Sequence, residues 1–134
     1  VTDRFPNPDL LNALKFTSDG LIPVITQDHA NGTVLMMAWM NETSIAETLT
    51  SGQMVYWSRS RKALWRKGET SGQGQRLVDL RIDCDGDSLL ALVEQTGVAC
   101  HTGRYNCFYR AARDGALVEL DMPQIDPANL YRKD

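Results

Sequence analysis

Apolar and polar positions along this chain change period several times, and each change predicts an element. Gly20–Asp28 (GLIPVITQD) and Thr33–Met40 (TVLMMAWM) are β-rich apolar runs separated by Asn31-Gly32, a pair that favours tight turns, so they predict a hairpin. Asn41 then stands where a helix N-cap belongs. Ile45, Ala46 and Leu49 follow at helical spacing and Gly52 comes just past the end, which predicts one helix of about ten residues. Met54–Ser58 (MVYWS), Arg76–Asp83 (RLVDLRID) and Ser88–Gln95 (SLLALVEQ) predict three more strands. Ser58–Gln75 between the first two of these is expected to be a long polar loop. Leu10–Phe16 predicts a short helical lead-in, and Asp114-Gly115 turns Cys107–Ala112 back on Ala116–Leu120 in a second hairpin. From Pro123 the tail is expected to be irregular.

The alternation in RLVDLRIDCDGD also predicts side-chain direction, because successive strand residues point to opposite faces. Val78, Leu80 and Ile82 are expected to face the core, with Cys84 continuing that face. Asp79, Arg81 and Asp83 then face away, and Asp85 and Asp87 join Asp83. The segment thus separates one soft ligand from a group of hard ones: thiolate suits zinc, clustered carboxylates suit magnesium, calcium or manganese. An EF-hand count from Asp83 reaches Glu94 at position twelve but finds Ser88 where glycine is needed, and strands where helices belong. The plainer alternative is an acidic turn between two strands, although three carboxylates so close repel one another and a cation would relieve that.

Composition narrows the functional classes. A chain of 134 residues, 43% hydrophobic, builds a core of single-domain size over residues 1–134 without covalent staples. No apolar run approaches a membrane span, and the start VTDRFPNPD lacks the regions of a signal peptide, so a cytoplasmic protein without membrane partners is expected. A net charge of −3 argues against nucleic acid as a partner. Three cysteines in a reducing compartment point to metal binding or catalysis before bridging. Each could also be a small buried hydrophobe. No Cys-x-x-Cys pair exists, so a closed structural zinc site is poorly supported, whereas three protein ligands and an open position make a catalytic one. His101, beside Cys100, is read as a base acting on water, with a fourth ligand or a satisfied core histidine as the alternatives.

Ser58–Gly72 concentrates Arg59, Arg61, Lys62, Arg66 and Lys67 in an otherwise acidic protein. A solvated basic loop is the plain reading. Interleaved Trp57 and Trp65, with the hydroxyls of Ser58, Ser60, Thr70 and Ser71, suggest phosphate binding and base stacking, hence a small phosphorylated substrate.

LIPVITQD, VLMMAWMN, YWSRSRKALWRKGETSG, DCDGD and GVACHTGRYNCFY, in that order from about Leu14 to Tyr109, resemble the phosphoribosyl-AMP cyclohydrolase family of histidine biosynthesis. The resemblance implies a β-rich α+β fold, mostly antiparallel with one main helix, in an intertwined homodimer. It implies a hydrolase that opens the adenine ring of N1-(5-phosphoribosyl)-AMP at the N1–C6 bond, giving the phosphoribosylformimino-aminoimidazole carboxamide ribotide intermediate. Zinc and magnesium are the implied cofactors, with Cys84, Cys100 and Cys107 matching zinc ligands and Asp83, Asp85 and Asp87 matching magnesium ligands. Cys84 is implied to come from the other subunit. Substrate-binding positions are expected at Trp57, Ser58, Arg59, Ser60, Arg61, Lys62, Trp65, Lys67, Glu69, Thr70 and Ser71. The chemistry is coherent: an N1-substituted purine is an electron-poor amidine, and zinc-bound hydroxide would be the nucleophile at C6. A zinc deaminase attacks a similar carbon, but its His-x-Glu and Pro-Cys-x-x-Cys signature is absent. A non-catalytic zinc-stabilised binding module is the remaining alternative.

Overall fold

The computed structural model describes residues 8–130; the first seven residues, most of the VTDRFPNPD start on which the signal-peptide expectation rests, and the last four of the tail lie outside them. Strands β1 (Ile22–Asp28) and β2 (Val34–Met40) pair antiparallel as the expected hairpin, with a bulge between Thr26 and Gln27. Helix α2 (Glu42–Ser51) follows, preceded in the chain by the short α1 (Pro8–Ala13). The Asn41 side chain accepts from the Ser44 amide at 2.8 Å while Ser44 Oγ accepts from the Asn41 amide at 2.9 Å, a reciprocal capping box. Gly52 ends the helix at φ 79°, a left-handed conformation that costs glycine little. The lead-in helix stops at Ala13, so Leu14–Phe16 lie beyond it; Leu14 is buried and the Lys15 amide instead donates to the Gly86 carbonyl at 2.8 Å.

β3 (Val55–Ser58), β4 (Ala63–Arg66), β5 (Gln75–Ile82) and β6 (Leu89–Gln95) come next. The expected polar loop is therefore corrected: Ala63–Arg66 is a strand, paired antiparallel with β3. Tyr56 faces Trp65 in that register, their rings 5.4 Å apart, so cross-strand aromatic packing outweighs the polar composition around it. Strands β2, β1, β6 and β5 form one sheet in that order, antiparallel except for β1 and β6, which run parallel from Val24 opposite Leu89 to Asp28 opposite Val93. The β7 (Arg110–Arg113) and β8 (Ala116–Glu119) hairpin forms as expected, and α3 (Pro127–Leu130) is a single turn within the tail. The architecture is strand-rich α+β, mostly antiparallel, with one substantial helix.

The core lies on one face of the sheet, where Ile22, Val24, Leu35, Met40, Leu89 and Val93 meet Ile45 of α2 and Met54 and Tyr56 at β3. Each such side chain contributes about 1.5–3 kcal/mol on full burial. Thr48 of α2 seals the helix to β3, its hydroxyl accepting from the Val55 amide at 2.9 Å.

Two side-chain directions differ from the alternation. A register shift between Leu77 and Asp79 inserts Val78 as an unpaired residue, so Leu77, Leu80 and Ile82 pack against the core while Val78 is exposed. Strand β5 ends at Ile82, so alternation does not reach Cys84, which is exposed and not on the buried face.

Candidate active site

A cleft of about 630 Å³ opens between β2, the β3–β4 hairpin, the loop after β4 and the segment leading to Cys107. All three tryptophans of the chain line it: Trp39, Trp57 and Trp65. Ser58, Ser60, Arg61, Lys67, Glu69, Thr70 and Ser71 are there too, so most of the expected substrate-binding stretch converges. Arg59 and Lys62 do not line it. Arg59 instead lies over the Trp39 ring at 4.6 Å, a cation–π contact, and Lys62 takes φ 52° in the β3–β4 turn. Trp39, Met36, Ala38, Leu64 and Ala99 are cleft residues that the sequence reading did not select, and Arg66, noted in the basic run but not among the expected substrate-binding positions, lines it too. The signal for Trp39 was its place as an aromatic in a strand ending at the helix cap, but strand period alone cannot tell a cleft from a core.

The cations of the cleft are not equally available. Arg66 is held by both oxygens of the Glu47 carboxylate on α2, and this pair lowers the Glu47 pKa. Lys67 is buried, which pushes its pKa down, against the pull of the neighbouring Cys107 and Cys100 sulfurs. Its Nζ donates to the Gln73 carbonyl at 3.1 Å. Arg61 has no ion pair among the described residues and is the cation most open to an incoming anion.

Beneath the cleft runs a buried hydrogen-bond chain. Tyr56 donates to Gln75 Oε1 at 2.5 Å and shares a 2.8 Å bond with Thr26, while Gln75 Nε2 donates to Gln95 Oε1 at 2.8 Å. Desolvation raises the Tyr56 pKa, so the phenol stays protonated as the donor. The network fixes β3, whose next residue, Trp57, faces the cleft.

The thiols come from an irregular segment held by its own backbone: the Ala99 amide donates to the Tyr105 carbonyl, the Cys100 amide to that of Arg104, and the Cys107 amide to Leu35 of β2 at 2.7 Å. This folds the segment back and makes Cys100 and Cys107 neighbours. Desolvation, the proximity of Cys100 and a hydrogen bond with it push the Cys107 thiol up to about 12, with Lys67 opposing. Thr102 donates to Cys100 Sγ at 3.1 Å. Two converging thiols with a nearby cation to offset thiolate charge suit a soft metal such as zinc. His101 is exposed and lines the cleft with Cys107.

Asp83, Asp85 and Asp87 are brought together: one ligand oxygen from each lies within 4.8 Å of the others, on the loop between β5 and β6. Desolvation resists ionisation of Asp83, but hydrogen bonds with Asp87 and Ser88 outweigh it and hold its pKa low. The hydrogen bond and like charge of Asp83, with burial and Asp85 behind them, raise that of Asp87. This is the repulsion that a hard cation relieves.

Cys84 does not join the other two thiols. No group of three described metal-ligating side chains includes them. Cys84 and the acidic loop precede β6 and the Cys100–Cys107 segment follows it, so a seven-residue strand separates them. At about 3.3 Å per residue the strand itself is roughly 20 Å long.

Fold and site together define a strand-rich α+β protein with a tryptophan-lined basic cleft, a soft thiol pair at its wall and a separate hard carboxylate cluster. A profile of the phosphoribosyl-AMP cyclohydrolase family matches residues 36–109. The chain is 61% identical over 124 residues to the phosphoribosyl-AMP cyclohydrolase of Rhodospirillum centenum, covering 92% of this chain and 93% of that one. It is 60% identical over 124 residues to that of Paramagnetospirillum magneticum (92% and 94% covered), and 59% identical over 126 residues to that of Magnetococcus marinus (94% and 97%). The chain belongs to the phosphoribosyl-AMP cyclohydrolase family.

Proposed function

We propose that this protein hydrolyses N1-(5-phosphoribosyl)-AMP at the N1–C6 bond in histidine biosynthesis. The observation that carries this reading is the convergence on one cleft of three tryptophans, an Arg61 without an ion pair among the described residues, and the wall that carries His101 and Cys107. The aromatic faces suit a purine ring and Arg61 with Ser58 and Ser60 suits a phosphomonoester. Water adds at C6, the N1–C6 bond breaks, N1 takes up a proton and C6 becomes the carbonyl of a carboxamide. His101, exposed in the cleft beside the thiols, is assigned as the acceptor of the water's proton.

Cys100 and Cys107 would hold zinc, which when bound supplies a Lewis acid that activates water near neutral pH. Asp83, Asp85 and Asp87 would hold magnesium. Among the described residues no third thiol groups with that pair within one chain. Cys84, exposed on the far loop, is assigned to the thiol pair of a second copy, making a homodimer with two shared zinc sites.

The test is a spectrophotometric assay on phosphoribosyl-AMP with metal analysis of the same preparation. Turnover with zinc near one per chain is expected. Zinc bound at that level without turnover would replace this reading by a metal-stabilised binding module.

A further inference from the structure

The two walls of the cleft come from distant parts of the chain: the loop Arg66–Ser71 after β4, and the segment from Ala99 to Cys107. Gln73 touches both. Its side-chain Oε1 accepts from the Val98 amide at 2.9 Å, one residue before Ala99 and two before Cys100. Its Nε2 donates to the Ser71 carbonyl at 3.2 Å, and its own amide donates to Ser71 Oγ at 3.2 Å. Its carbonyl accepts from Lys67 Nζ. A second observation points the same way: Gly97 has φ 67°, and a Cβ there would fall on Gln73 Oε1 itself. The absent side chain at Gly97 is what lets the carboxamide reach the Val98 amide.

We infer that Gln73 is a positioning residue that fixes the substrate-binding loop relative to the thiol segment. Both ends of its carboxamide are used, one as acceptor and one as donor, so no other side chain of that length reproduces the link. Glutamate keeps the acceptor toward Val98 but sets a carboxylate against the Ser71 carbonyl. Methionine has similar length and makes neither bond. The catalytic consequence rests on the proposed hydrolysis; the link itself does not.

Three readouts separate these. Hydrogen exchange of the Val98 amide reports the thiol side, intrinsic tryptophan fluorescence with AMP as ligand reports the cleft, and kcat and KM report the reaction. In Gln73→Met, Val98 protection is expected to fall at least tenfold, with kcat about tenfold lower, because one loosened wall misplaces the reacting groups. In Gln73→Glu, Val98 protection is expected to stay near wild type while the Kd for AMP and KM rise several-fold. Circular dichroism confirms that both remain folded; if Gln73→Met does not fold, Gln73→Glu alone decides, through its split between protected Val98 and weakened AMP. Unchanged Val98 protection in Gln73→Met, or wild-type AMP binding in both variants, overturns the inference. Absence of turnover in the wild type would instead defeat the proposed reaction and leave the exchange and AMP readouts intact.

Discussion

Tyr105→Phe removes one hydroxyl that ties the thiol segment to the β1–β2 turn. In the wild type this hydroxyl donates to Asp28 Oδ2 and accepts from Asn31 Nδ2 at 3.0 Å. Asp28 is only 7% exposed, and its other oxygen already accepts from the Ala30 amide at 2.9 Å, so the phenylalanine leaves a nearly buried carboxylate oxygen without its donor. A hydrogen bond to a charged group is worth about 1.5–3 kcal/mol net. Tyr105 is half-buried and water can reach part of the gap, which brings the expected cost to about 1–2 kcal/mol. For a chain of 134 residues, an unfolding entropy near 2.1 cal/mol/K per residue turns that into a drop in Tm of about 4–7 °C. The assay is thermal unfolding by circular dichroism at one fixed protein concentration, since assembly would make Tm concentration-dependent. Burial, then the hydrogen bond to Asp28, raises the Tyr105 pKa above its usual 10. The stabilisation is therefore complete below about pH 10 and is lost as pH rises through the folded-state value. The difference between wild type and variant should be constant from pH 7 to 9 and shrink beyond 10. A Tm shift under 1 °C, or a difference that persists undiminished at pH 11, would refute the reasoning.

Other outcomes follow from the site. Asp85→Asn should raise the magnesium concentration for half-maximal activity at least tenfold while zinc content stays unchanged, because hard and soft ligands sit on different loops; parallel loss of both metals would merge the sites. Arg61→Ala should raise KM about tenfold and Lys62→Ala should leave it near wild type, since only Arg61 lines the cleft; steady-state kinetics decides, and equal effects would contradict the geometry. Cys84→Ala and Cys100→Ala chains, each inactive, should regain about a quarter of wild-type activity when unfolded and refolded together, because random pairing makes about half the dimers mixed with one intact site each. No recovery, with mixed dimers confirmed by mass, would sink the shared site.

Local signals were legible because they act over a few residues. The Asn41 cap, Gly52 terminator and Ile45 spacing specify α2 through bonds that close within one turn. Asp114-Gly115 specifies the last hairpin, and three aspartates within five residues must share one loop wherever that loop lies. The convergence of Trp57, Ser58 and Thr70 on one cleft was legible for the same reason, since one hairpin and its following turn carry them. Other features depend on partners far along the chain, and there local patterning fails. ALWR reads as loop until Tyr56 stands opposite Trp65, and Val78 reads as core until the β5–β6 register leaves it unpaired. Trp39 and Gln73 look ordinary in sequence; only the packing of β2 and of the Gly97 turn gives them a cleft and a link. The three cysteines could be named as soft ligands from their chemistry, yet which of them meet is a matter of distance. Within the described chain Cys84 stands on the β5–β6 loop and does not group with the other two, because the segment after β6 is pinned to β2 through the Cys107 amide and the Leu35 carbonyl, a contact that no spacing in the sequence announces.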